Sequence, residues 1–150
     1  MTVAFIGSDN YTQTSLLAIR MWEVVANLVV EEGADVFLFS NANFYEHICW
    51  EIVSQLKMNY SNIERHYHHG GFDYDIGYVD YLKEFYDNLF FPKMGVPLPR
   101  YLRNRAMIDK CDVLITYCSN EELHAEQKSL TALAIVYARE KNKRVVNLFY

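Results

Sequence analysis

The side chains able to do chemistry fall in short polar runs, each directly behind an apolar run. Gly7-Ser8-Asp9-Asn10 follows Val3 to Ile6, and Ser40-Asn41-Ala42-Asn43 follows Asp35 to Phe39. Ser119-Asn120-Glu121, with Lys128-Ser129-Leu130-Thr131 beyond it, follows Val113 to Tyr117. Glycine allows a tight turn, and Ser, Asp and Asn accept hydrogen bonds from the first N–H groups of a helix. Each run therefore reads as the loop from the carboxyl end of a strand to a helix start. Such loops present hydroxyls, amides and helix-end N–H groups, a chemistry suited to holding anions and polar ligand edges. Capping alone would explain two of Ser40, Asn41 and Asn43. Arg103 and Asn104 add a second kind of signal. Arg103 and Met107 share one face of a helix-like segment, and a guanidinium buried without a partner costs several kcal/mol. Its expected partner is an acidic residue of the sheet's loops or an anionic ligand.

Other chemistry is thinly represented. No Ser-His-Asp or Cys-His arrangement is apparent. The three cysteines, Cys49, Cys111 and Cys118, are odd in number and form no CxxC, so they are expected to be reduced core thiols. His66, His68 and His69 sit near the end of a strand-like run, and His66 and His68 would share a face. No carboxylate or cysteine stands at ligand spacing, and Gly70-Gly71 follows directly. A solvated strand end is the expectation, with no metal and no cofactor. Asp9 and Glu121 are the carboxylates placed for acid–base work if there is any.

The elements that must position these residues alternate in type. Strands are expected over Thr2 to Ile6, Asp35 to Phe39, Asn62 to His69, Val113 to Tyr117 and Val145 to Phe149. Helical spacing of apolar residues runs from Leu16 to Val29 and stops at Gly33, and recurs through Ile48, Ile52, Val53 and Leu56. Arg100 to Lys110 and the segment after Ser129 are also helix-like. Strands apolar at every residue are covered on both faces, and their alternation with helices defines an α/β parallel sheet. In such sheets ligands collect at the carboxyl ends of the strands. Residues of about 70–99 form an irregular aromatic and acidic insert with a helix expected over Val79 to Tyr86. Pro92, Pro97 and Pro99 exclude a regular strand or long helix in its last part. Tyr81, Phe85 and their neighbours are expected to pack on the sheet edge or on a second subunit.

Composition narrows the class. The 150 residues, 51% of them hydrophobic, suffice for one domain that buries roughly 70% of its unfolded surface. A net charge of −5 argues against a general grip on nucleic acid, whose phosphates demand a basic face. No apolar run is long enough to span a membrane, and no leader-like segment precedes the first strand. A cytoplasmic protein without membrane attachment is expected. Twelve tyrosines and nine phenylalanines exceed what a core of this size requires, which points to a pocket or a homo-oligomer interface.

The run RN-x-x-MID-x-CD-x-x-x-x-Y from Arg103 to Tyr117, then KS-x-T from Lys128 and A-x-x-YA-x-x-K-x-K-x-V-x-NLF from Ala134 to Phe149, resembles the SLOG superfamily. It is most similar to the small bacterial and phage-borne single-domain branch called YpsA-like. The EEGADVFLF and YDNLFFP segments extend the resemblance over nearly the whole chain. What it implies is a Rossmann-like three-layer sandwich: a mostly parallel sheet of about five strands with helices on both faces. It also implies a nucleotide or nucleotide-derived ligand over the strand ends. The phosphate would sit at the Ser129 and Thr131 loop near Arg103 and Asn104.

Relatives carry glycines where this chain has Ser40 and Leu130. The PGGxGT-x-x-E motif of the phosphoribohydrolase branch, with its catalytic carboxylate, is absent. The expectation is therefore non-catalytic binding, sensing or sequestering, of a nucleotide-like molecule. The expected contacts are Gly7, Ser8, Asp9, Ser40, Asn41, Asn43, Arg103, Asn104, Lys128, Ser129 and Thr131, with Tyr117 stacking. The alternatives are a nucleotide-processing hydrolase or transferase of the N-glycosidic or phosphate type, and a homo-oligomerising module with a vestigial pocket.

Overall fold

A computed structural model describes residues 1–9 and 14–149. Asn10, one of the expected capping residues, lies outside them. Six strands, β1 (Thr2–Phe5), β2 (Val36–Phe39), β3 (Glu64–His68), β4 (Asn88–Phe90), β5 (Val113–Thr116) and β6 (Arg144–Asn147), form one sheet in the order β4-β3-β2-β1-β5-β6. Every pairing is parallel. The helices are α1 (Thr14–Glu32), α2 (Phe44–Lys57), α3 (Ile76–Leu82), α4 (Arg100–Lys110), α5 (Asn120–His124) and α6 (Leu130–Glu140). This is a Rossmann-like three-layer α/β arrangement.

Alternation along the strands builds two cores. Val3, Phe5, Phe37, Phe39, Tyr67 and Ile115 face α1, α2 and α3. Ala4, Ile6, Leu38 and Leu114 face Met107 and Ile108 of α4 and the alanines and Ile135 of α6. Three aromatic rings, Phe5 with Phe37 and Phe39, stack across neighbouring strands at 5.9 and 5.1 Å. Gly33 ends α1 at φ 73, a conformation an L side chain rarely adopts, as its stop position predicted. From β1 the chain lays β2, β3 and β4 on one side, then crosses to lay β5 and β6 on the other. The order thus reverses between β1 and β5, and their loops diverge there to open a crevice.

Two expectations need correction inside residues 70–99. The sheet has six strands, not about five, because Asn88–Phe90 pairs with His66, Tyr67 and His68. Three residues are too few to show an alternating pattern, and Pro92 ends the strand at once. The helix starts and stops earlier than Val79 to Tyr86 because Asp75 caps it, accepting from the Tyr78 N–H at 2.9 Å. Residues after Leu82 turn instead, and drop Tyr86 into the core beside Phe39.

The histidines are not a solvated strand end: His68 and His69 are 5% and 1% exposed. The His69 ring accepts at Nδ1 from the Tyr67 hydroxyl (2.7 Å), which leaves Nε2 to donate to the Phe72 carbonyl (2.8 Å), so it staples the insert to β3. Phe91 stacks on the same ring at 4.9 Å. No group of three side chains able to hold a metal occurs among the described residues. His68 lies flat on Phe90, 4.7 Å between centroids, and its Nε2 is buried without a hydrogen bond among the described residues. Burial first, then the charges of Lys110, His66 and Arg103, push its pKa down to about 3. Below pH 6.5 the unfolded chain gains a proton that the folded chain refuses, so stability falls as pH drops. Between pH 7 and 5 this group alone should remove about 2 kcal/mol. Urea unfolding at the two pH values should show that loss shrinking by the same amount in His68→Phe; an unchanged pH slope would mean the ring titrates normally.

Candidate functional site

At the reversal point a cleft of about 350 Å³ opens over the carboxyl ends of β1 and β2 and the start of α6. Its floor begins at Gly7. A Cβ there would lie 2.4 Å from the ring of Tyr45, so the glycine is required by packing. Tyr45 is fully buried and donates its hydroxyl to the Ile115 carbonyl (2.7 Å), which locks α2 beneath β1 and β5. Asn43 caps α2 through Oδ1, accepting from the Glu46 N–H, and donates Nδ2 to the Gly7 carbonyl at 2.7 Å. The Asp9 carboxylate accepts from the Tyr45 N–H at 3.2 Å, in the first turn of the same helix.

Glu46 is the hinge of the arrangement. It is 3% exposed, and its carboxylate accepts from the Ser40 N–H (2.5 Å), the Ser40 hydroxyl (2.6 Å) and the Ala42 N–H (2.9 Å). Burial raises its pKa, while these donors and the Arg103 charge pull it back. Glu122 plays a similar part on the other side. It accepts from the Ser8 hydroxyl (2.9 Å) and from the Cys118 thiol (2.8 Å). Burial and then Glu122 push that thiol up to about 12, so Cys118 is an inert thiol, not a nucleophile.

The far wall is α4. Arg103 is 5% exposed, and its side chain passes so close to Gly70 that a Cβ there would lie 2.8 Å from its own Cβ. Its Nε and one terminal nitrogen donate to Asn104 Oδ1 at 3.2 and 3.0 Å. Among the described residues it makes no ion pair. Burial lowers its pKa and the Glu46 charge opposes the shift, but a guanidinium stays protonated under either influence. Arg100, one turn earlier and exposed, lines the cleft beside it. Ser129 caps α6, accepting from the Ala132 N–H at 3.1 Å, and Thr131 stands in the first turn, whose N–H groups lack intrahelical acceptors. The result is a pocket with two guanidinium groups, hydroxyls and a helix start on one side and spoken-for carboxylates on the other. That chemistry suits an anionic group.

Nine of the twelve expected site residues line this cleft: Gly7, Ser8, Asp9, Ser40, Asn43, Arg103, Asn104, Ser129 and Thr131. Three are elsewhere. Asn41, in the left-handed region at φ 53, lines a neighbouring cleft between α2 and α3. Tyr117 is buried with its ring edge-on to Phe149 at 5.5 Å. Lys128 donates to the Leu123 and Ala125 carbonyls at the end of α5. Of the two candidate acid–base groups, Asp9 is bonded to Tyr45, and Glu121 is exposed and away from the cleft. Sequence reasoning missed Arg100, Glu46 and Glu122. The glutamates had a visible signal: Asn43-x-x-Glu46 and Ser119-x-x-Glu122 both have capping-box spacing.

Fold and cleft together define a doubly wound parallel α/β domain with an anion-suited pocket at its switch point. No protein-family model matches the chain, and no curated protein matches it.

If Glu46 holds the turn as described, Glu46→Ala strands one buried and one part-buried N–H group and should cost about 3 kcal/mol. Ser40→Ala, which removes one hydroxyl, should cost about 1 kcal/mol. Denaturant midpoints check both. Equal small losses would show that solvent replaces the carboxylate.

Proposed function

We propose that this protein binds a nucleotide or nucleotide-derived small molecule in the cleft at the strand ends and holds it without turnover, as a sensor or a sequestering protein. The observation that carries the reading is Arg103: a buried guanidinium that donates to a neutral amide, makes no ion pair among the described residues, and lines a cavity. Burying a charge without a paired countercharge costs several kcal/mol; the field of Glu46 meets part of that cost, and an anionic ligand would offset more. Arg100, Ser129 and the start of α6 stand where they would share that anionic group. The cavity falls in the size range of small-ligand sites, roughly 300–1,000 Å³. The Ser8 and Ser40 hydroxyls, which donate to Glu122 and Glu46, keep lone pairs that can accept from the remainder of the ligand.

Binding without chemistry is favoured by what the carboxylates already do. A general base needs an acceptor directed at the proton it removes. Asp9, Glu46 and Glu122 each accept from protein donors. The cations at the cleft, Arg100 and Arg103, make no ion pair among the described residues.

A thermal-shift screen of mono- and dinucleotides, cyclic nucleotides, ADP-ribose and free nucleobases tests the reading. A true ligand at 100 times its dissociation constant adds about 2.7 kcal/mol, or roughly 5–10 °C for a chain of this length. Arg103→Ala should abolish the shift, and the recovered ligand should be chemically unchanged by chromatography. A shift that survives Arg103→Ala would remove the cleft from consideration, and consumption of the ligand would overturn the non-catalytic part.

A further inference from the structure

The second cleft, of about 180 Å³, lies between α2 and α3 and has a different chemistry. Four aromatic side chains line it: Trp50 from α2, Tyr81 from α3, and Phe85 and Tyr86 from the turn after it. Glu46 and Glu51 line it too, and no lysine or arginine does. The volume is below the roughly 300 Å³ where sites for drug-sized molecules begin, so it admits a single headgroup or small ring.

The walls are held in place. The Trp50 indole N–H donates to the Phe85 carbonyl at 3.0 Å, with the two rings edge to face at 5.8 Å. Tyr81 lies against Phe85 at 5.0 Å. Tyr86 packs against Phe39 and Tyr67 of the core. Trp50 already draws a cation, the Arg65 guanidinium, to 5.4 Å from its ring centre. That charge does not oppose a second one, because Asp87 pairs with Arg65 at 3.2 Å. Burial first, and then the Glu46 charge, raise the Tyr86 pKa, so the field of Glu46 is felt inside the cleft. Glu51 stands at the rim, about 60% exposed, with His47 at 3.5 Å.

We propose that the cleft between α2 and α3 is a binding site for a small organic cation, an alkylated or quaternary ammonium group. Aromatic faces attract such a group through their quadrupoles, and the effect strengthens when the cation is desolvated. Glu46 and Glu51 add a negative potential that a neutral ring of the same size would not exploit. The site is separate from the Arg103 cleft, and Glu46 is the residue that lines both.

The test uses choline and its uncharged isostere 3,3-dimethylbutan-1-ol, titrated into the full chain at pH 8 with sodium chloride holding ionic strength constant. The Trp50 indole N–H resonance reports on the site. Choline should give saturable shifts there, and the isostere should bind at least tenfold more weakly. Glu51→Gln, an exposed change that spares the fold, and Tyr81→Leu should each weaken choline several-fold. Equal binding of the isostere, saturation by adenosine in place of choline, or absence of saturation at tens of millimolar choline would overturn the proposal.

Discussion

Two opposite charges are buried at the rim of the sheet without being paired to each other. Glu46 and Arg103 are 3% and 5% exposed, and either alone would be costly to bury. Glu46 meets the cost internally, through two backbone N–H groups and a hydroxyl. Those three donors occupy most of the roughly four acceptor positions of its carboxylate, and it forms no ion pair with Arg103. It helps the guanidinium through its field alone. Arg103 is then left with one amide partner and a cavity in front of it. The local shape of the rim follows from this pair. Gly70 is bare because the Arg103 stem passes over it, and the turn at residues 40–42 curls because Glu46 gathers its donors.

The same local device builds both sides of the cleft. A capping-box glutamate ordinarily reaches back to the N–H of its own cap residue. Here Asn43 and Ser119 take care of the helix ends, and the glutamates three residues on extend further. Glu46 bonds the turn behind β2, and Glu122 bonds Ser8 behind β1. Asn43 in turn holds the Gly7 carbonyl. Loops from β1, β2 and β5, distant in sequence, are thereby tied into one rigid mouth. A mouth whose shape is set by buried hydrogen bonds needs little reordering when a ligand arrives, and that lowers the cost of binding.

The sheet was legible because its signals are redundant. Val113 to Thr116 is apolar or β-branched throughout, and Gly33 stands where a helix stop must, so pattern and punctuation agree. β4 was illegible because three residues between a tyrosine-rich helix and a proline carry no period. The histidines were misjudged for a related reason. Polarity suggested solvent, but tertiary packing put Phe90, Phe91 and Phe72 around the rings, and Tyr67 and a carbonyl supplied partners for His69 that lie outside any local pattern. At the cleft, Gly7, Ser8 and Asp9 behind β1 and Ser40 and Asn43 behind β2 were found from topology alone. Lys128 was misplaced because its long stem can reach the end of α5 as easily as the cleft, and Tyr117 because a ring at the end of a central strand can turn into the core.

Glu46 also divides the rim electrically. It lines both clefts, with Arg100 and Arg103 on one side of it and four aromatic side chains with Glu51 on the other. The two spaces therefore present opposite signs of charge in a chain whose net charge is only −5. An anion beside Arg103 would make the potential on the far side of Glu46 more negative, and a cation there would do the reverse for the anion. The coupling between the clefts is thus favourable in sign, whatever the ligands, and it must be equal in both directions. Its size is set by the separation and by the water between them: charges that are partly solvated interact through a high effective dielectric, and salt screens them within a Debye length of about 8 Å at physiological ionic strength. The wall between the clefts is a single turn, residues 40–42, and one buried side chain, which puts the two pockets side by side on the same rim.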